Sequence, residues 1–311
     1  GWVDLTAQMA LFARMMQLLA GAAGSDGIAR QYAEEYRQLA ALINSRMWDE
    51  KTGFYRDVTK IGTLHDRKTI AGFWPLVAGV ADNARTATLI RHLEDPREFG
   101  TPHLFPTLSK DEPEYDPKGY YWRGAVWAPT TFMVIKGLET AGHAAFATRA
   151  SRNHLDNMLA VFLDFKPDRT RLPYGHPNIP FPAQLDGTRQ IWECYSPEKR
   201  EPATRWDNHF LVRPEFVGWS GVGPITLFYE NVIGIRPDVP HQTVHWRVSS
   251  EQMHGIRNLP FGKSRIDLIM TEVRSGSPHF SVTSPVAFIL QTVYNGREKT
   301  IAIRAGSGTY H

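Results

Sequence analysis

Apolar side chains recur every third or fourth residue along most of the first 235 positions, the spacing of helices with one face turned from water. Leu5, Leu11, Phe12, Met15, Leu18 and Leu19 set a helix over residues 4–21, with Asp4 placed to cap its start and Gly21 to end it. This methionine-containing stripe reads as core. Ile28, Tyr32, Tyr36, Leu39, Ile43 and Met47 repeat the spacing over 26–48, and Gly53 punctuates the turn in MWDEKTGFY. Further helices are expected at 69–80, 83–93, 128–140, 142–163 and 219–234. Between them lie two long loops, 95–122 and 164–218. The second holds several aromatics and prolines and few Ser/Gly runs, which reads as an ordered, functional loop. After Pro240 the period drops to two. VHWRV, SRIDLIMTEV, HFSVTS, VAFILQTVY and KTIAIRA are rich in β-branched and aromatic residues, and Asn295-Gly296 is a hairpin turn. The expected organisation is therefore a mainly α domain, residues 1–240, and a small antiparallel β-domain, residues 241–311.

Composition narrows the function classes. The 311 residues are 42% hydrophobic and 22% charged, an ordinary globular balance rather than that of a disordered chain. The formal net charge is +3, spread without a basic block, so neither nucleic acid nor an anionic membrane is an expected partner. No apolar run is long enough for a membrane helix. Cys194 is the single cysteine, which excludes an intrachain disulfide and a cysteine-based zinc site. The twelve histidines form no HExxH-like pair, so no metal is expected, and nothing calls for a cofactor. A lone cysteine fits cytosolic and exported bacterial proteins equally, so bacterial cytoplasm and periplasm both stay open.

Three stretches carry candidate chemistry. In YYWRGAVWAPTT, residues 120–131, Tyr120, Tyr121, Trp122 and Trp127 precede a helix whose first turn holds Pro129. Aromatic faces complement the C–H groups of sugar rings, and Arg123 has a planar fork for hydroxyls or for loop carbonyls. The same aromatics would also serve as core at a helix entrance, and both readings stand on residues alone. In IWECYSPEKREP, residues 191–202, Glu193 sits between Trp192 and Tyr195. A partly desolvated carboxylate suits proton transfer, while a plain surface Glu is the competing reading. In FVGWSGVGPITLFYENVIG, residues 216–234, Gly218, Gly221 and Gly223 read as close-packing points in a buried helix, with Trp219 lining a cleft. The Trp219-Ser220-Gly221 run is no nucleophile elbow. Asp66 and Arg67 either pair with each other or meet substrate, and the ion pair is the expected reading. Asp207 and His209, in RWDNH, lie near Glu193 in sequence as candidates to position water.

KTGFY, FWPLVAGVAD, the run from HLEDPREFG to YYWRGAVWAP, IWECYSP and FVGWSGVGPI occur in an order that resembles glycoside hydrolase family 63 and its trehalase-like relatives. The likeness runs over residues 4–235, and its most specific element is YWRG-x-x-W followed by W-E-x-Y and G-W-S. It implies an (α/α)6 toroid that hydrolyses an α-linked glucoside or mannoside with inversion. One carboxylic acid protonates the leaving oxygen, and a carboxylate across the sugar, roughly 6.5–9.5 Å away, activates water. The resemblance places the general base on Glu193 and sugar-lining aromatics on Tyr121, Trp122 and Trp127. Arg123 and Trp219 join them as candidate substrate contacts from the residue reading above.

One departure is large. The family's general acid is an Asp in an SGWD-type motif, expected just ahead of a segment that here reads Asp4-Leu5-Thr6-Ala7. Gly1-Trp2-Val3-Asp4 has one residue too many, so no acid is assigned within the chain. About seven helices are expected where a closed toroid needs twelve. The toroid is thus expected to be incomplete at its N-terminal side, with an upstream segment or a partner surface completing it and an apolar wall exposed meanwhile. A non-catalytic carbohydrate-binding or interaction module that keeps the aromatic wall is the alternative.

Overall fold

A computed structural model describes residues 1–172 and 188–311. The remaining fifteen positions of the long 164–218 loop, and the order expected of them, lie outside the described residues. The chain divides into two compact units, Gly1–Pro224 and Ile225–His311. The division falls earlier than Pro240, inside the last helix.

Seven α-helices occur among the described residues: α1 (Val3–Ala22), α2 (Asp26–Arg46), α3 (Trp74–Val77), α4 (Asn83–Glu94), α5 (Ala128–Thr140), α6 (Ala144–Asp164) and α7 (Val217–Leu227). A 3-10 turn, Ile70–Phe73, leads into α3, and a two-residue ladder pairs β1 (Trp48–Asp49) with β2 (Phe54–Tyr55). Each helix lies close to where its periodicity puts it. Asp82 caps α4 as the Arg85 N–H donates to its carboxylate at 2.8 Å. Asp4 does not cap α1. The cap position is Trp2, and Asp4 lies within the first turn, accepting from the Leu5 N–H at 2.7 Å. The chain also passes Gly21 in helical form and turns left-handed only at Gly24, with φ +70°.

The face of α1 that packs inward is not the expected one. Its buried residues are Val3, Ala7, Ala10, Ala13 and Ala20. Leu5, Phe12, Met15, Leu18 and Leu19 are all exposed, Leu19 to 64%. Alanines also recur at helical spacing, so α1 has two apolar faces; the small one is buried, while Phe12 on the other meets Tyr32 of α2 edge-on at 6.3 Å. A tight aromatic nest holds the middle of this unit: Phe54, Phe73 and Phe99 pack edge-on and stacked around Gly72, with His92 against Phe54.

Ion pairs tie down the 95–122 loop. The ammonium of Lys68, itself buried, meets Glu98 at 2.6 Å and Asp111 at 2.5 Å, while His92 bonds the other oxygen of Glu98. Burial alone would raise Glu98, but hydrogen bonds from His92 and Lys68 hold it below the ordinary Glu value. Arg67 pairs with Asp66 at 2.6 Å, as expected, and forks onto both oxygens of Glu114.

The second unit holds eight strands: β3 (Ile235–Asp238), β4 (Thr243–Arg247), β5 (His254–Phe261), β6 (Ser264–Arg274), β7 (Ser277–Ser284), β8 (Phe288–Tyr294), β9 (Arg297–Ile303) and β10 (Gly306–Tyr310). They form two four-stranded sheets, ordered β10-β7-β6-β5 and β3-β4-β8-β9. Alternate residues of both sheets, among them Trp246, Leu268, Met270, Phe280, Val282 and Leu290, make one shared core. The first sheet is antiparallel throughout. The second is not: β4 pairs with β8 in parallel. The chain leaves β4 for the other sheet and returns through β5–β7, so no tight turn dictates the sense of that pairing. Asn295 and Gly296, at φ +47° and +74°, join β8 to β9 in the twist a two-residue hairpin requires.

Candidate functional site

The stretch before α5 folds back on itself. Tyr120 and Tyr121 both adopt left-handed backbone, φ +34° and +61°, which bulky residues avoid. The Tyr121 N–H donates to the Thr204 carbonyl at 2.9 Å, and the Arg123 N–H to the Tyr120 carbonyl at 3.2 Å. Gly119, at φ +94°, leaves no room for a side chain: a Cβ would stand 2.8 Å from that of Ala203. The turn aims Tyr121 and Trp122 to one side. Trp122 lies flat on Trp127, centroids 4.3 Å apart and planes within 4°. Tyr121 meets Trp127 edge-on at 4.9 Å, and Trp127 Nε1–H donates to the Tyr121 carbonyl at 3.3 Å.

Glu193 arrives from a set of short extended segments. Tyr195 exchanges backbone hydrogen bonds with Val126, the Ala203 N–H donates to Cys194 O, and the Glu193 N–H donates to Arg213 O at 2.9 Å. Trp192 and Cys194, its two chain neighbours, are buried, so the alternation of an extended chain turns Glu193 away from them, half-buried. Burial pushes the Cys194 thiol far up, which makes it an inert core group. The Tyr121 hydroxyl donates to Glu193 Oε1 at 2.7 Å, the Arg213 N–H reaches Oε2 at 3.5 Å, and Ser220 Oγ bonds the Glu193 carbonyl at 2.9 Å. Burial and then the Glu193 bond push Tyr121 above the ordinary tyrosine value, so it remains a donor.

The expected site residues therefore divide by position. Glu193, Tyr121 and Trp122 come together, Trp122 with nearly half its surface exposed. Trp127 is fully buried and backs Trp122. Trp219, on α7, meets Trp127 at 5.4 Å and is 49% exposed. Arg123 is exposed and lies 5.0 Å over the Tyr120 ring, while its carbonyl accepts from the Asp116 N–H at 2.7 Å. Asp207 spends one oxygen on the N–H groups of His209 and Phe210, each at 3.1 Å, and the His209 ring sits against Phe210. The close packing expected of three glycines on α7 holds at two: Gly221 is buried, and a Cβ on Gly223 would lie 3.7 Å from Phe132 and 3.8 Å from the Ala128 carbonyl of α5, whereas Gly218 faces open space and Val217 and Val222 are exposed, so α7 is not a fully buried helix. The sequence reading missed Trp206. It is 55% exposed, meets Tyr121 edge-on at 5.6 Å, and carries the Arg205 guanidinium 4.2 Å over its ring. Its neighbours in RWDNH drew attention instead, because polarity rather than the tryptophan marked that segment.

A family model described as the mannosylglycerate hydrolase MGH1-like glycoside hydrolase domain matches residues 2–162. An uncharacterized protein of Borreliella burgdorferi is 29% identical over 290 residues, covering 93% of this chain and 57% of that protein. A mannosylglycerate hydrolase of Thermus thermophilus is 36% identical over 110 residues, 35% of this chain and 26% of that enzyme. The solved structure of a GH63 mannosylglycerate hydrolase from Thermus thermophilus in complex with glucose matches 73% of this chain and 44% of its own with a TM-score of 0.53. At 24% identity that likeness shows a shared fold. This chain spans little more than half the length of these proteins at most.

Proposed function

The chain belongs to the mannosylglycerate hydrolase MGH1-like glycoside hydrolases, within glycoside hydrolase family 63, and on that premise we propose that its aromatic wall and Glu193 serve the inverting hydrolysis of an α-linked glucoside or mannoside. The observation that carries this reading is the 2.7 Å hydrogen bond from Tyr121 to Glu193 beside the exposed face of Trp122. Trp122 offers a flat apolar face to a sugar ring. Glu193 has one oxygen held by Tyr121, and the other, which the Arg213 N–H reaches at 3.5 Å, has a remaining lone pair for a water molecule, so that Glu193 acts as general base. The Tyr121 bond fixes the carboxylate's orientation, which general-base catalysis needs before basicity matters. Water attacks the anomeric carbon as the base takes its proton. The glycosidic oxygen leaves with a proton from an acid on the opposite face, a role assigned to no residue of this chain. Trp206 and Trp219 extend the wall on either side.

The finer fold belongs to the same reading. Leu5, Phe12, Met15, Leu18 and Leu19 on α1 are all exposed, with Phe12 meeting Tyr32 of α2 at its edge, and they make an apolar face suited to a further packed surface. A helical segment from outside these residues, or a partner surface, covers it and closes an (α/α)6 toroid, with residues 1–240 as its C-terminal portion and 241–311 as the β-domain.

The test is anomer-resolved NMR during incubation with trehalose, kojibiose, nigerose, glucosylglycerate and mannosylglycerate. With the acid-bearing segment or partner present, a β-anomer released first, lost in Glu193→Gln while sugar still binds, is the expected outcome. An α-anomer released first, or turnover that survives Glu193→Gln, would overturn the assignment. Sugar binding that depends on Trp122, with no release even when the acid-bearing segment or partner is present, would favour a non-catalytic carbohydrate-binding module.

A further inference from the structure

The wall around Glu193 is built from two loops that are distant in sequence, one carrying Tyr120–Trp122 and one carrying Trp206. Neither conformation is favourable on its own. Tyr120 and Tyr121 are left-handed, and so is Asn208, at φ +55°. Thr204, Asn208 and Asp116 connect the two loops. Thr204 is buried. Its carbonyl accepts from the Tyr121 N–H at 2.9 Å and its hydroxyl accepts from the Tyr120 N–H at 3.3 Å. That hydroxyl donates to Asn208 Oδ1 at 2.8 Å. Asn208 Nδ2 in turn donates to Asp116 Oδ2 at 2.8 Å, while Asp116 Oδ1 accepts from the Lys118 N–H at 2.8 Å. The direction of each bond is forced: a carboxylate only accepts, so the amide must present its NH2 to Asp116 and its oxygen to Thr204. Asn208 also closes the Trp206 turn through its own N–H, which donates to Arg205 O at 2.8 Å.

We propose that Asn208 is a positioning residue, a single amide that clamps the Trp206 turn to the Tyr120–Tyr121 turn and so sets the Tyr121 hydroxyl on Glu193. This rests on the reading of the wall as a sugar site. A local cap would bond within its own turn. Here the acceptor of Asn208 bonds Thr204, four residues back in the same turn and the anchor of both strained tyrosines, but its donor leaves the turn for Asp116, 92 residues away. Backbone bonds of Thr204 to the Tyr121 N–H and the Lys118 carbonyl join the bases of the two loops, and the Asn208 side chain is what ties the Trp206 turn to that junction and to Asp116.

The experiment exchanges donor and acceptor within the full chain. Asn208→Asp sets a second carboxylate against Asp116 and removes the donor. Adding Asp116→Asn restores it in reverse: the new amide donates to the carboxylate at 208, Thr204 still donates to that carboxylate, and the new amide oxygen still accepts from Lys118. NMR cross-peaks between the Tyr121 and Trp206 rings, and the downfield resonance of the Tyr121 hydroxyl proton, report on the wall without any substrate. Binding of methyl α-D-glucoside and methyl α-D-mannoside, followed by saturation transfer, reports on the sugar site. Expected is loss of both NMR signals in Asn208→Asp with at least a tenfold drop in sugar affinity, and recovery of both in the double variant. Asn208→Gly, which accepts the left-handed backbone but lacks the amide, should show the same loss if Asn208→Asp does not fold. Thr204→Ser, which keeps the hydroxyl, should match the parent chain. Unchanged ring cross-peaks in Asn208→Asp or Asn208→Gly, or no recovery in the swapped pair, would overturn the clamp. Should the parent chain bind neither glycoside, the sugar-site reading fails, while the NMR signals still decide whether Asn208 sets the wall.

Discussion

Acid should weaken the helical unit between about pH 6.5 and pH 4, through one pair of histidines. His103, in the loop ahead of the aromatic turn, and His154, on α6, are both buried, with His103 Nε2 and His154 Nδ1 2.8 Å apart. His154 Nε2 has no hydrogen-bond partner among the described residues. A neutral imidazole tolerates this site, but an imidazolium would lack both water and a counter-charge. Burial lowers His154 from the ordinary 6.5 to about 4, and burial, then the neighbouring His154, lowers His103 in the same direction. Above pH 6.5 neither the folded nor the unfolded chain protonates these rings, and their contribution is complete. Between 6.5 and 4 the unfolded chain takes protons that the folded chain refuses, so stability falls with pH. At about 1.4 kcal/mol per pH unit, His154 alone removes about 3 kcal/mol across that window. Urea unfolding at a series of pH values, followed by tryptophan emission, measures it. Every tryptophan except Trp246 lies within residues 1–224, so the signal reports on this unit. His154→Gln has nothing to titrate there, and its stability should fall less over the same range by up to that amount. Identical pH dependence in the two proteins, or a His154 ring that titrates near its ordinary value by NMR, would refute the reasoning.

Three further outcomes follow from particular contacts. In Gly72→Ala the new Cβ would lie 2.3 Å from the Phe54 ring and 2.6 Å from the Tyr55 carbonyl, so chemical denaturation should show a loss of about 2 kcal/mol or more. Lys68→Ala leaves Glu98 and Asp111 facing each other without their shared cation. A cost of about 2–3 kcal/mol, below that of a fully buried pair because Asp111 is partly exposed, should appear with earlier proteolysis in the 95–122 loop. Gly296→Ala places a side chain at φ +74° in open space, so the β unit should lose about 1 kcal/mol from backbone strain alone, and a larger loss would point to a packing role the hairpin lacks.

The order of elements, the change of period near Pro240, the Asn295-Gly296 hairpin and the family motifs around Trp122 and Glu193 were legible in the sequence. Each is encoded within a few residues: a period of 3.6 or two, a residue pair suited to left-handed backbone, a run of aromatics before a helix. The tertiary structure decided what such local patterns leave degenerate. On α1 the alanines and the leucines both recur at helical spacing, and only the packed unit puts Ala7, Ala10 and Ala13 inside and leaves Leu18 and Leu19 outside. Trp122 and Trp127 look alike in sequence, yet Trp127 is buried and Trp122 covers it. The bond from Tyr121 to Glu193 spans 72 residues, and the clamp through Asn208 spans 92. The sense of the β4–β8 pairing is likewise a matter of how the chain returns from another sheet. Neighbours along the chain set periodicity and turn shape. The choice of buried face and of distant partner depends on which arrangement buries the most apolar surface with every polar group satisfied, and that is settled only when the whole unit packs.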